Sequence, residues 1–319
     1  MSEADQSSIK TVFGVDPKGK FMKGKHGYTH YILDFPPTSS KVSAKGYVCC
    51  CHGIGTNVNV YSDLSKGLVS QGYTVLRYDF FNHGWSKSDN LYLKIDDNVM
   101  VEQVEDLLSH VLPDAGPVNF VGHSTGGLVS IMCANRLGQQ RVGRLALVSP
   151  ALWAAKPLVA KLNDMIPNVM FALFKSRLTG GLIRGAIADA YLKNCDVAFA
   201  KDEAGGYRYP DAHSKAVAFN KRLFKLHPYA HSGIATVNSY VLRLDLLPIW
   251  RDELRTIVGE KNVAVTLING TQDMAVPFTK ERLEELGDDV KVISLENQGH
   301  ESLLEDSGKI LKAVADAFA

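Results

Sequence analysis

Val118-Asn119-Phe120-Val121-Gly122-His123-Ser124-Thr125-Gly126-Gly127 is the stretch on which the fold turns. An apolar run, predicted as a strand over 118–121, leads into Gly-x-Ser-x-Gly and then into a helix. In so tight a turn, side chains two residues either side of the serine would collide, which explains Gly122 and Gly126. Such a backbone is strained and lifts the serine hydroxyl clear of the sheet. The next main-chain N–H, that of Thr125, then opens a helix, where negative charge is favoured.

The same rhythm repeats outward. Continuous apolar runs predict strands at 46–51, 73–78, 145–148, 263–268 and 290–295. Runs without alternation suit parallel strands covered on both faces. Two weaker strands are predicted near 11–15 and 26–35, separated by Gly- and Lys-rich turns. Helical spacing links Val101, Val104, Leu107, Leu108 and Val111 behind the acidic start Asp96-Asp97, and Leu303, Leu304, Ile310, Leu311, Val314 and Phe318 near the C-terminus. Strand and helix in alternation mean an α/β fold with a mostly parallel central sheet flanked by helices.

From 154 to 230 no strand is evident. Helix-like apolar clusters appear instead, and the segment is predicted to be a helical cap inserted into the sheet domain. The expected organisation is a flexible N-terminal tail at 1–19, a core at 20–153, the cap at 154–230 and the rest of the core at 231–319. Of 35 Lys/Arg and 34 Asp/Glu, the cap holds 12 and 6, so it carries +6 over a body of −5. Its basic residues, Lys161, Lys175 and Arg177 among them, suit a solvated surface that seats the cap on an acidic body, with peripheral contact with anionic lipid as the alternative reading. The overall charge of +1 argues against a nucleic-acid partner, and 45% hydrophobic residues rule out a disordered chain. Five cysteines, three of them adjacent (Cys49, Cys50, Cys51), suit a reduced, cytoplasmic protein rather than a disulfide framework. No apolar run is long enough for a membrane span, the start has no secretory signal, and no zinc-type spacing occurs.

A serine nucleophile needs a base, and the base needs an orienting carboxylate. His300 follows the last predicted strand and Asp273 the one before it, giving the order Ser124, Asp273, His300 at strand C-termini. The first strong strand ends in His52-Gly53-Ile54-Gly55, and the N–H of Ile54 is the candidate for a second oxyanion donor beside that of Thr125, unless the stretch is only a glycine turn. Gly53-x-Gly55, followed by Asp79 at the end of the next strand, also reads as a partial dinucleotide fingerprint, but position 58 is Val58 where a third glycine belongs. Tyr207 and Tyr209 are expected to pack within the cap.

With these motifs the chain resembles the α/β-hydrolase-fold serine hydrolases over nearly its whole length. The match rests on His52-Gly53, Gly122 to Gly127, the turn at 269–273 and Gln298-Gly299-His300. Asp79 to Ser86 resembles the family's D-x-x-G-x-G-x-S turn, with Asn82 where glycine is usual; asparagine tolerates the left-handed conformation next best. The resemblance implies a lipid esterase, monoacylglycerol lipase, lactonase or other ester hydrolase working without metal or cofactor. Thioester and carbon–carbon bond hydrolysis, and a ligand receptor built on the same frame, use the same parts. A small lipophilic ester is the expected substrate, with Trp85 and Trp153 bordering its pocket.

Overall fold

The computed structural model describes residues 18–37, 43–90, 93–153, 197–226 and 252–319, with scattered positions between 176 and 193. The strand expected near 11–15, nearly all of the tail, and residues 154–175 and 227–251 lie outside the described residues. So do Lys161, Lys175 and Arg177.

Nine described strands form one sheet: β1 (Lys20–Gly24), β2 (Gly27–Asp34), β3 (Gly46–Cys51), β4 (Tyr73–Tyr78), β5 (Lys87–Ser88), β6 (Val118–His123), β7 (Val142–Val148), β8 (Val265–Gly270) and β9 (Lys291–Leu295). Their order is β1-β2-β4-β3-β6-β7-β8-β9, with β5 paired to β2. From β4 to β9 every pairing is parallel; β1, β2 and β5 make the antiparallel end.

The α-helices among the described residues are α1 (Ser62–Ser70), α2 (Asp97–Val111), α3 (Thr125–Leu137), α4 (Pro210–Leu226), α5 (Lys280–Glu284), α6 (Ser302–Glu305) and α7 (Ser307–Phe318). They cover both faces, which is why the central strands read as unbroken apolar runs. Cys49, Cys51, Phe120, Leu145 and Leu147 face one core, with α2 and α3. Val48, Cys50, Val121, Ala146 and Val148 face the other, with α1 and α7. The adjacent cysteines thus divide between the two faces by the period of two.

Two elements depart from the sequence reading. Lys20–Gly24 is a strand, where only a Gly- and Lys-rich turn is expected. It buries Met22 while Lys20 and Lys23 face water, the charged habit of an edge strand. The helical pattern near the C-terminus is interrupted at Asp306 (φ −150°), whose side chain accepts from Lys309 N and caps α7. Asn82 does take φ +60°, and its Oδ1 accepts from the N–H and hydroxyl of Ser88. No helix among the described residues is long and apolar enough to cross a membrane.

Candidate active site

Ser124 joins β6 to α3 with φ +53° and ψ −119°. For a residue with a Cβ this conformation costs on the order of 1–3 kcal/mol. The surroundings hold it there. Ser124 N donates to Val148 O, while Ser124 O accepts from Gly127 N and Ala151 N. A Cβ on Gly122 would sit 2.5 Å from Gly126 O, and one on Gly126 would sit 1.9 Å from Cys51 O. Both clashes are with backbone, so nothing flexible can yield. Gly126→Ala is therefore expected to cost roughly 3 kcal/mol, the upper part of the overpacking range, read as a lower denaturation midpoint.

His300 and Asp273 stand on neighbouring turns, after β9 and β8. These turns press together: Gln272 N donates to Gln298 O, and a Cβ on Gly270 would lie 2.2 Å from Gln298 O. Ser124 Oγ is 3.0 Å from His300 Nε2, and His300 Nδ1 is 2.8 Å from Asp273 Oδ2. The other Asp273 oxygen accepts from the N–H groups of Ala275 and Val276. All three side chains are buried. Burial opposes charge on both His300 and Asp273, but their mutual attraction outweighs it. His300 is raised above the ordinary imidazole value, with help from Glu301 and Glu305, and Asp273 is held below the ordinary carboxylate value. With its Nδ1–H donated to Asp273, the neutral ring presents Nε2 as the acceptor for the serine proton.

The loop after β3 passes against this group. A Cβ on Gly53 would be 3.3 Å from Ser124 Cβ. Ile54 follows half-buried, and Thr125 is the first residue of α3, so both expected oxyanion segments flank Ser124. Buried histidines hold the loop. The Nδ1 of His52 lies 2.7 Å from Gly53 O while its Nε2 accepts from Phe80 N. Burial pushes His52 down to about 4, so the neutral ring this pattern needs is the stable one. His123 Nε2 lies 2.9 Å from His300 O, anchoring the main chain of His300.

Asp79 serves this frame too. Its carboxylate meets His30 Nδ1, Val58 N and Trp85 N at 2.8–2.9 Å and is 0% exposed. A dinucleotide-binding acid would have to face a ribose, so the competing reading of Gly53-x-Gly55 fails here. Trp85 packs against His30 of β2, and its main-chain N–H donates to Asp79 just past β4. Trp153 lies buried just past β7, edge-on to Phe278 and beneath the Arg282 guanidinium. A cavity of about 700 Å³ opens between the start of α1, α4 and α6. Glu301, next to His300, is in its wall, but Ser124, Asp273, His300, Trp85 and Trp153 are not among its lining residues.

Glu305 escaped the sequence reading. Its Oε1 accepts from Ala200 N (2.6 Å) and its Oε2 from Gly299 N (2.7 Å). The available signal was its place after Leu303-Leu304 in an apolar helical pattern, where a carboxylate is buried only if it has partners.

The alpha/beta hydrolase family matches residues 48–313. Rat monoglyceride lipase is 32% identical over 139 residues, 39% of this chain and 44% of that protein, so the chain spans less than half the length of this relative in the match. Among solved structures, an enol-lactonase from Burkholderia xenovorans has a TM-score of 0.67 at 22% identity, covering 93% of this chain and 98% of that one. An esterase from Exiguobacterium antarcticum has a TM-score of 0.67 at 18% identity, covering 94% and 99%. At these identities the two structures show the fold alone. With a family match over most of its length and a sheet to fit, this chain belongs to the alpha/beta hydrolase family.

Proposed function

We propose that the protein is a serine hydrolase of carboxylic esters with a lipophilic acyl or alcohol part, acting through Ser124, His300 and Asp273. The observation that carries this reading is the chain of contacts Ser124 Oγ–His300 Nε2 and His300 Nδ1–Asp273 Oδ2, at 3.0 and 2.8 Å, on a strained strand-to-helix turn. His300 takes the serine proton as Oγ attacks the ester carbonyl carbon. The oxyanion forms against the N–H groups of Thr125 and Ile54. His300 returns the proton to the departing alkoxide, leaving an acyl-serine. Water, deprotonated by His300, then releases the acid and restores the hydroxyl. Asp273 holds the tautomer and stabilises the imidazolium. The likeness to monoglyceride lipases supports a lipophilic substrate.

Residues 154–230 are the cap in this reading, with Trp153 at its root and Trp85 as a more distant border of the pocket. The four described cysteines are free and buried, in keeping with a reducing, cytoplasmic setting.

Turnover of p-nitrophenyl esters of graded acyl length tests the proposal. Activity rising from acetate toward medium chains supports it; a short-chain-only profile contradicts the lipophilic pocket, and no turnover of any ester contradicts the hydrolase. Because His300 must be neutral to act as a base and is raised by Asp273, the acid limb of kcat/KM against pH is expected above the ordinary histidine value. A limb at or below that value would mean the pair does not form in the working enzyme.

A further inference from the structure

The turn that carries His300 is held from outside the sheet. Just past Gly299 and His300, Glu301 N donates to Ala198 O (3.1 Å). Just before them, Gln298 Nε2 donates to the hydroxyl of Tyr209 (2.5 Å). On the neighbouring turn, Gln272 Oε1 accepts from Lys201 N (2.8 Å). These outside partners fall within Ala198–Tyr209. That segment closes on itself as a small hairpin, with Lys201 bridged to Tyr207, Asp202 N donating to Gly206 O, and Arg208 N donating to Ala200 O. Glu305 completes the tie, since one carboxylate oxygen takes Ala200 N–H from the hairpin and the other takes Gly299 N–H from the turn. The fit leaves no slack: a Cβ on Gly299 would lie 2.6 Å from both Ala198 O and Ala200 N.

We infer that Glu305 and the Ala198–Tyr209 hairpin form a brace that positions the Asp273–His300 pair, with Glu305 as a positioning residue for the base. The inference rests on the reading of Ser124 as nucleophile. A carboxylate suits the place because two N–H groups on different segments need two acceptor oxygens in one plane. An amide supplies one acceptor and sets an NH2 group against the other N–H. The brace acts on the main chain of His300, so its loss should move the imidazole without removing any group that touches substrate. Displacement of a catalytic group by about 1 Å costs on the order of 100-fold in rate.

The test compares parent, Glu305→Gln and Tyr209→Phe, with active sites counted by a fluorophosphonate that labels Ser124. Glu305→Gln is expected to lower kcat per counted site roughly 10–100-fold with KM within threefold, and to slow labelling by a similar factor. Tyr209→Phe, which deletes one hydrogen bond at a half-buried residue, is expected to lower kcat per site about 2–5-fold. A purely structural role would lower the thermal midpoint and the number of counted sites but leave kcat per site unchanged. That result in both variants overturns the inference. If Glu305→Gln is recovered only unfolded, Tyr209→Phe decides alone. Absence of labelling in the parent would instead sink the nucleophile assignment, and the brace with it.

Discussion

Ser124→Ala is expected to lower ester turnover by roughly 10⁴–10⁶-fold without disturbing the sheet. The substitution removes the one oxygen within hydrogen-bond reach of His300 Nε2 on this turn and keeps the Cβ that the turn already accommodates. The circular dichroism spectrum and thermal midpoint should stay close to the parent's, while steady-state hydrolysis of a p-nitrophenyl ester collapses. Comparable turnover in a folded Ser124→Ala protein would mean that another group attacks the ester. A companion variant separates chemistry from strain. Ser124→Gly relieves the positive φ, so it should be about 1 kcal/mol more stable than Ser124→Ala and equally inactive.

Asp273→Asn should cost roughly 10⁴-fold in kcat, for a reason visible in the hydrogen bonds. Asp273 Oδ1 already accepts from Ala275 N and Val276 N. An asparagine must keep its carbonyl oxygen there, because an NH2 group would oppose two donors. Its amide nitrogen then faces His300 Nδ1, which is forced to accept. The ring proton moves to Nε2 and confronts the Ser124 hydroxyl as a donor, the wrong tautomer for a base. Single-turnover acylation is the measurement, and a loss of less than tenfold would mean that another group fixes the tautomer.

Much of this site could be read from the chain because each part sits where a strand ends. Ser124, Asp273 and His300 follow apolar runs, and parallel strands bring their C-terminal ends to one edge. Asn82 was readable for a different reason, since few side chains tolerate φ near +60°. What resisted reading depends on partners distant in sequence. Lys20–Gly24 has too few apolar residues to announce a strand and becomes one because β2 offers an edge. Glu305 looks like any glutamate in a short helix until Ala200 and Gly299, 105 and 6 residues away, converge on it. The packing of Trp85 against His30 also depends on a distant partner, since the turn wraps around Asp79 and brings the indole to a residue of β2.

The order in which the strands leave the ribosome bears on when activity can first appear. The contiguous part of the sheet from β1 to β7 is encoded before residue 149, while β8 and β9, which bring Asp273 and His300, come more than a hundred residues later. Ser124 and His300 are separated by 176 positions. At translation speeds of about 5–20 residues per second, Ser124 waits roughly 9–35 seconds for its partner. Under the proposed mechanism, an elbow formed in that interval would have no base to activate it. Hydrolytic competence by that mechanism must wait for residue 300, and a chain released before it would have no base for Ser124.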